Sequence, residues 1–403
     1  MKILFLSVGE FANIEAGSVH IDLVRQLAEE GHDVYVACKN ERRNGVPTSL
    51  KDEYGLHVLR VRTGNLKRTS LIEKGLSTIL LEYQFLHAIK KYWKGICFDL
   101  VLYHTPPITF TKVIKYIKRR DHAKSYLLLK DIFPQNAVDM GMFKGNSLIY
   151  KYFRKKEKAM YAVSDGIGCM SLANCRYLKE NNPEIPEGRI GIIPNSISIR
   201  EVNITPHERN DILHKYGLPS DKKIFVYGGN LGRPQNVPFI IECLKKCRDI
   251  DGAFFLIVGS GCDFQIAMDY YQDAKPENVM VMKGLPKRDY EMLVNACDVG
   301  LVFLDYNFKI PNYPSRILSY MQSSMPVLCV TDKVTDVGTD MVKEDSGWCC
   351  LSNDPNAFRS KVLEVLEDDI KIKGLNSLRY LKEKYDVKKV AKDLIKCIND
   401  IDK

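Results

Sequence analysis

The stretch Lys223-Ile-Phe-Val-Tyr-Gly-Gly-Asn-Leu-Gly-Arg-Pro-Gln-Asn-Val-Pro-Phe-Ile-Ile-Glu-Cys-Leu244 sets Gly228, Gly229, Gly232 and Arg233 within six residues. Ile224–Tyr227 is a short, β-rich apolar run, as a buried strand requires. From about Asn236 the apolar residues Val237, Ile240, Ile241 and Leu244 fall at helical spacing. A strand, a glycine turn and a helix start together aim backbone N–H groups and a helix dipole at an anion. Glycines let the backbone approach that anion with no Cβ between, and Arg233 adds a planar cationic fork. An ordinary strand-to-helix turn is the alternative. The full dinucleotide fingerprint is absent, which weakens a nicotinamide or flavin reading.

Three further loops of the second half repeat this chemistry after apolar runs: Gly259-Ser-Gly261, Lys283-Gly284-Leu285-Pro286 and Asn312-Tyr-Pro-Ser315-Arg316, the last at a helix start. Together they make a diphosphate pocket by composition. In the first half, Asp131 follows a strand and precedes Pro134, a place suited to a general base or to a carboxylate facing positive charge. His104 also ends a strand, as a catalytic group or a structural one. Two Asp-x-Asp pairs, Asp249/Asp251 and Asp400/Asp402, sit at helix ends away from these loops, so no metal site is expected there.

Those residues need parallel sheets to gather them. Lys2–Val8, a loop, a helix to about Glu30 and the strand Asp33–Cys38 imply a right-handed crossover. Further strands are expected near His57–Arg62, Leu100–Tyr103, Ser125–Leu129, Gly166–Cys169 and Ile190–Ile193. Ile193-Pro194-Asn195 closes a first domain, 1–195, and the polar stretch 196–221 reads as a linker. A second alternation, 222–385, has strands at Ile224–Tyr227, Ala253–Val258, Val279–Met282, Val299–Leu304 and Val327–Val330. An amphipathic run over 386–403 follows the second sheet and is expected to cross back to the first domain. Ligands of such sheets bind at the carboxyl ends of the strands.

Of the net +9, residues 1–200 carry +11, with 31 Lys and Arg against 20 Asp and Glu. That imbalance points to an anionic partner. Between Ser70 and Lys94 the apolar stripe Leu71, Ile72, Leu76, Ile79, Leu80, Tyr83, Leu86, Ile89 is expected to pack on the sheet. The cationic, aromatic end Lys90–Lys94 and the segment Lys151–Lys158 are assigned to anionic lipid headgroups. No nucleic-acid-binding signature is present. The twelve cysteines form no Cys-x-x-Cys and read as reduced. No apolar run is long enough to span a bilayer, so a cytoplasmic protein, peripheral on the inner face of the membrane, is expected.

The sequence resembles the family 4 glycosyltransferases of the two-Rossmann-domain (GT-B) class. The matching residues are Gly17-Ser18, Gly31-His32-Asp33-Val34, Ile193-Pro194-Asn195, Gly228-Gly229-Asn230-Leu231-Gly232, Val258-Gly259-Ser260-Gly261, Lys283-Gly284 through Gly300, and Pro314-Ser315-Arg316 through Met321. Within the family, Tyr103–Thr109 and Asp131-Ile-Phe-Pro134 look like the subgroup building bacterial capsule, O-antigen and exopolysaccharide units. The resemblance implies an α/β GT-B fold of two doubly wound sheets. It implies retaining transfer of a hexosyl or N-acetylhexosaminyl group from a nucleoside-diphosphate sugar, UDP above all, to a lipid-diphosphate-linked saccharide, without metal or cofactor. Asp131 and His104 are then the catalytic candidates. Gly229, Asn230, Gly232, Arg233, Lys283, Gly284, Leu285, Ser315, Arg316 and Ser319 hold the donor, and Gly17 and Ser18 form an acceptor-side loop. Pro311 and Ser319 stand where the family has two glutamates, and Asn230 and Asn236 where it has Arg and Lys. A non-catalytic sugar-nucleotide-binding protein and a GT-B epimerase are the competing readings.

Overall fold

A computed structural model describes residues 1–9, 11–66, 69–202 and 204–401; Asp402 lies outside them. The chain forms two compact units, Met1–Ser198 with Val387–Lys403, and Ile199–Asp386.

In the first unit the strands are β1 Lys2–Ser7, β2 Asp33–Glu41, β3 Ser49–Glu53, β4 Leu56–Thr63, β5 Leu100–His104, β6 Lys124–Leu129, β7 Gly166–Cys169 and β8 Ile190–Ile192. The helices are α1 Val19–Glu29, α2 Leu71–Tyr92, α3 Thr111–Asp121, α4 Gln135–Asp139, α5 Leu148–Val163 and α6 Leu172–Asn181. The sheet order is β3-β4-β2-β1-β5-β6-β7-β8. Ile3–Leu6 and Leu100–Tyr103 are buried on both faces, which explains their unbroken apolar runs. β3 has no counterpart in the sequence reading. It is a mostly exposed edge strand, antiparallel to β4. Tyr54 and Gly55 join the two with φ of 54° and 76°, the left-handed pair of a tight hairpin.

The second unit has β9 Lys223–Asn230, β10 Ala253–Ser260, β11 Val279–Lys283, β12 Val299–Phe303, β13 Val327–Thr331 and β14 Gly347–Leu351. Its helices are α7 Pro206–Lys215, α8 Val237–Lys246, α9 Phe264–Ala274, α10 Lys287–Asn295, α11 Arg316–Gln322, α12 Val337–Lys343, α13 Pro355–Glu367 and α14 Ile370–Lys384. The order is β11-β10-β9-β12-β13-β14, parallel throughout. The last helix, α15 Val387–Asp400, returns to the first unit, where Val387, Val390, Ala391, Leu394 and Ile398 share a core with Ile3, Phe5 and Val24.

Two expectations need correction. The stretch 196–221 is not an irregular linker, for it contains α7. Thr205 and Glu208 close a reciprocal capping box there, and Pro206 opens the helix. Arg209 ties α7 to Asp298 at 3.0 Å. The helix escapes notice because Leu213 is its one buried residue. On α2, the face turned inward is Ser77, Leu81, Glu82, Phe85, Ala88 and Ile89, while Leu76, Ile79, Leu80 and Tyr83 are exposed. Trp93, assigned to headgroups, is instead buried edge-on against Tyr35 and Phe98.

Candidate functional site

In each unit the strand order reverses beside one strand, opening a crevice at the carboxyl ends of its neighbours. In the second unit that strand is β9, between β10 and β12. Its end turns through Gly228 and Gly229, and the glycines there have separate tasks. A Cβ on Gly228 would lie 1.8 Å from the Tyr290 hydroxyl. On Gly259 and Gly261 it would lie 2.1 and 2.0 Å from the carbonyls of Gly229 and Leu231. Gly259 and Gly261 are glycine so that the loops can close on one another, and Gly228 leaves room for the Tyr290 side chain of α10. Hydrogen bonds hold the closure: Leu231 N–H to Ser260 O at 2.8 Å and Gly284 N–H to Gly259 O at 2.8 Å.

Gly229 differs. Its φ is +120°, and a Cβ there would meet only the Arg316 guanidinium, 3.7 Å away. Arg316, the first residue of α11, stacks its guanidinium 4.4 Å over the Tyr227 ring. Its Nη1 is buried without a hydrogen-bond partner, and among the described residues no carboxylate pairs with it. A fixed cation beside an open glycine backbone has the chemistry to receive an anion.

Around this point the other expected residues take varied places. Lys283 and Gly284 are exposed at the end of β11, and Leu285 is half-buried. Arg233 is exposed in the turn Arg233–Gln235. Asn230 Nδ2 and Gly232 N–H both donate to Gln235 Oε1, at 3.1 and 3.2 Å, so Gln235 braces the loop. Asn236 sits at φ 50° and caps α8 by accepting from Phe239 N–H. Ser315 occupies the N-cap position of α11, and Ser319 donates its hydroxyl to the Arg316 carbonyl at 2.8 Å. Pro311 is buried. Asp249 and Asp251 are ion-paired to Arg359 and Lys222.

Sequence reasoning missed the support of the Asn312–Arg316 loop. Buried Asp332 accepts from Val334 N–H, Thr335 N–H and the Thr335 hydroxyl at 2.8–2.9 Å, and Thr335 Oγ1 accepts from Asn312 N–H at 3.0 Å. Burial raises the Asp332 carboxyl above the usual range despite those bonds.

The first unit reverses at β1, between β2 and β5. Ser7 and His104 end those strands, with Ser7 Oγ 2.9 Å from His104 Nε2. His20, in the first turn of α1, stacks on His104 with ring centroids 3.9 Å apart. His104 Nδ1 and His20 Nε2 are buried without partners. Burial drops His104 to about 4. It also lowers His20, aided by His104 and Lys130. Lys130 falls to about 7, again by burial, and donates to Ile193 O at 3.1 Å. The two imidazoles are therefore neutral at pH 7. Asp131 takes both its oxygens to Asn136 Nδ2 at 2.8 Å, and burial raises its carboxyl. Thr105 Oγ1 accepts from the N–H groups of Lys130 and Asp131 and so fixes the strand end. Gly17 has φ +65°, and Ser18 caps α1 through Ile21 N–H at 3.3 Å. His20 and Lys130 escaped the sequence reading. Their position beside His104 becomes visible only with the strand order.

Comparison with known proteins identifies the chain. A model described as Glycosyltransferase Family 4 matches residues 16–201, and one described as Glycosyl transferases group 1 matches 208–397. The chain belongs to glycosyltransferase family 4. It is 25% identical over 311 residues to the probable glycosyltransferase WbjE of Pseudomonas aeruginosa, covering 76% of this chain and 75% of that protein. The fold is GT-B. Sucrose-phosphate synthase from Thermosynechococcus elongatus matches with TM-score 0.75 at 15% identity, over 99% of this chain and 98% of the other. Anabaena HepE in complex with UDP-glucose matches with TM-score 0.69 at 13% identity, over 99% of this glycosyltransferase and 100% of HepE.

Proposed function

We propose that this glycosyltransferase moves a hexosyl or N-acetylhexosaminyl group from a nucleoside-diphosphate sugar, UDP-linked, to a lipid-diphosphate-linked saccharide, with retention and without metal. Bacterial surface polysaccharide synthesis, such as capsule or O-antigen, is the setting. The observation that carries the reading is the Arg316 guanidinium, stacked on Tyr227 with Nη1 buried and without a hydrogen-bond partner, beside the Gly229 backbone at the switch point of the second sheet. Departure of a nucleoside diphosphate builds negative charge, and a cation already fixed in place stabilises it without reorganising. Lys283 and Arg233, both exposed, extend that field, and the N–H groups near Gly229 and Ser315 complete it. HepE, of the same fold, is described in complex with UDP-glucose.

In the first unit, Asp131 is the carboxylate that faces the positive charge of the sugar in flight. His104, neutral at pH 7, accepts a hydrogen bond from the acceptor, and the Gly17-Ser18 turn bounds the acceptor side. A lipid-linked acceptor places the enzyme peripherally on the inner membrane face; no helix among the described residues is long and apolar enough to cross a membrane. One observation favours a second reading, a non-catalytic donor-binding protein. Pro311 and Ser319 replace the family glutamates, and the Ser319 hydroxyl hydrogen is already given to the Arg316 carbonyl. Calorimetric titration with UDP and UDP-sugars, followed by transfer to a lipid-diphosphate saccharide, tests both. UDP binding with no transfer from any donor supports the second reading, and no binding at all sinks both.

A further inference from the structure

The outer surface of α2, α3 and α5 has a composition that water alone does not explain. Leu76, Ile79, Leu80 and Tyr83 recur at i, i+3, i+4 and i+7, so they line one face of α2. Each is 50–58% exposed. On α5 the residues Leu148, Ile149 and Tyr152 are exposed too, Leu148 at 84%. The helix α3 packs between α2 and α5. Lys112 of α3 joins the two groups: its ammonium lies 4.2 Å from the centre of the Tyr83 ring. Tyr152 is close enough to act on the same charge. Lys156 reaches over the Tyr152 ring at 5.8 Å.

The charge on this surface has one sign. The three helices carry thirteen lysines and arginines against four carboxylates. Glu82, Asp121 and Glu157 have buried side chains. Glu82 accepts from Lys112 N–H, Asp121 from Arg120, and Glu157 from Arg154 and Tyr161. The fourth, Glu73, lies in the first turn of α2 and is held by Asn65 and Thr69. Lys115, Lys151 and Lys155 are exposed.

We propose that this face is a bilayer-docking surface, in which Leu76, Ile79, Leu80, Leu148 and Ile149 enter the acyl boundary of an anionic membrane while the lysines around them meet lipid phosphates. This names the partner of the first unit and rests on the reading that the acceptor is lipid-linked. Exposed aliphatics ringed by snorkelling lysines and interfacial tyrosines match both layers of an anionic leaflet at one depth. A second copy of the chain would set one cationic face against another. A nucleic acid would accept the lysines and leave the leucines in water.

The test uses the full chain with vesicles of phosphatidylglycerol and phosphatidylcholine, against vesicles of phosphatidylcholine alone. Binding to the mixed vesicles is expected to fall in high salt but not vanish, because the inserted side chains are not screened. The triple variant Leu76→Ser, Ile79→Ser, Leu80→Ser should keep its melting temperature, since its targets are exposed. It should lose at least about tenfold in partitioning, including the salt-resistant part. Lys115→Glu with Lys155→Glu should remove the salt-sensitive part. Undiminished partitioning by the folded triple variant overturns the proposal, and so does a wild-type dimer that the triple variant turns into a monomer. Transfer to a water-soluble acceptor is measured in parallel. If wild type binds vesicles but transfers nothing, the catalytic reading fails and the docking surface stands. If the triple variant transfers to the soluble acceptor yet no longer partitions, the docking role is isolated.

Discussion

Arg316→Met removes the central cation of the proposed donor site. The guanidinium stands 4.4 Å over Tyr227 with a buried donor unused. A charge-assisted hydrogen bond contributes about 1.5–3 kcal/mol, so UDP affinity should fall by roughly ten- to more than a hundredfold. Stability without ligand should behave differently. Wild type holds a half-buried cation that pairs with no carboxylate among the described residues, and that desolvation is offset only in part by a cation–π contact of about 1–2 kcal/mol. Methionine of similar length leaves nothing unsatisfied, so the unliganded variant should be as stable as wild type or more so. At a UDP concentration of about 100 Kd, wild type gains about 2.7 kcal/mol; a tenfold loss of affinity reduces that gain to about 1.4 kcal/mol. Calorimetry supplies the affinities, and thermal melts with and without UDP supply the stabilities. Undiminished UDP affinity in a folded variant refutes the assignment. A large loss of unliganded stability shows instead that Arg316 is a structural residue.

Asp131→Asn should leave UDP binding intact and lower kcat by about a hundredfold or more; a kcat within a factor of two removes Asp131 from the chemistry. Asp332→Ala strips the acceptors from three donors and should destabilise by about 2–3 kcal/mol in urea melts, with a matching loss of UDP affinity through the Asn312–Arg316 loop. His104 titrates at about 4 in the fold and near 6.5 unfolded, so its contribution is present above about pH 6.5 and is lost as pH falls toward 4, up to about 3 kcal/mol. Denaturant titrations at pH 4.5 and 7 should show that slope, and it should shrink in His104→Gln. Transfer, once a donor is found, should survive EDTA; strict dependence on added Mg²⁺ or Mn²⁺ would overturn the metal-free mechanism.

Most of the parallel strands were legible because burial on both faces leaves unbroken apolar runs such as Ile224–Val226; β14 was missed, since only Gly347 and Trp348 of that edge strand are buried. β3 and α7 were not legible either, since an exposed edge strand and a helix burying only Leu213 have little apolar pattern to give. On α2 the periodicity found an apolar face but not its direction. The inward face carries Ser77 and Glu82 among its apolar residues, which weakens its pattern against the exposed leucines. In the candidate site, Gly229 and Arg316 declared themselves by residue type. Gln235, Asp332, Thr335 and His20 did not, because each acts on a neighbour supplied by strand order or loop closure. A lone Asp or His in a sequence carries no sign of that neighbour.

The two switch points handle charge in opposite ways, and that difference bears on the division of labour between the units. In the second unit the fold keeps a cation that cannot be neutralised, with one buried N–H unsatisfied and, among the described residues, no carboxylate paired with it. Ser319 spends its hydroxyl on the Arg316 carbonyl and leaves the cation itself untouched. In the first unit burial does the reverse: two imidazoles are held uncharged, and Lys130 sits at about 7, near the edge of neutrality. A departing diphosphate needs a charge that is always present. An incoming sugar hydroxyl is itself neutral, and a cation beside it would lower its nucleophilicity, whereas a neutral ring nitrogen can accept its hydrogen. On the proposed reading, the same strand-end geometry, built twice in one chain, would serve a donor in one unit and an acceptor in the other because burial is applied to different residues: to histidine and lysine, which can lose their proton, and to arginine, which does not.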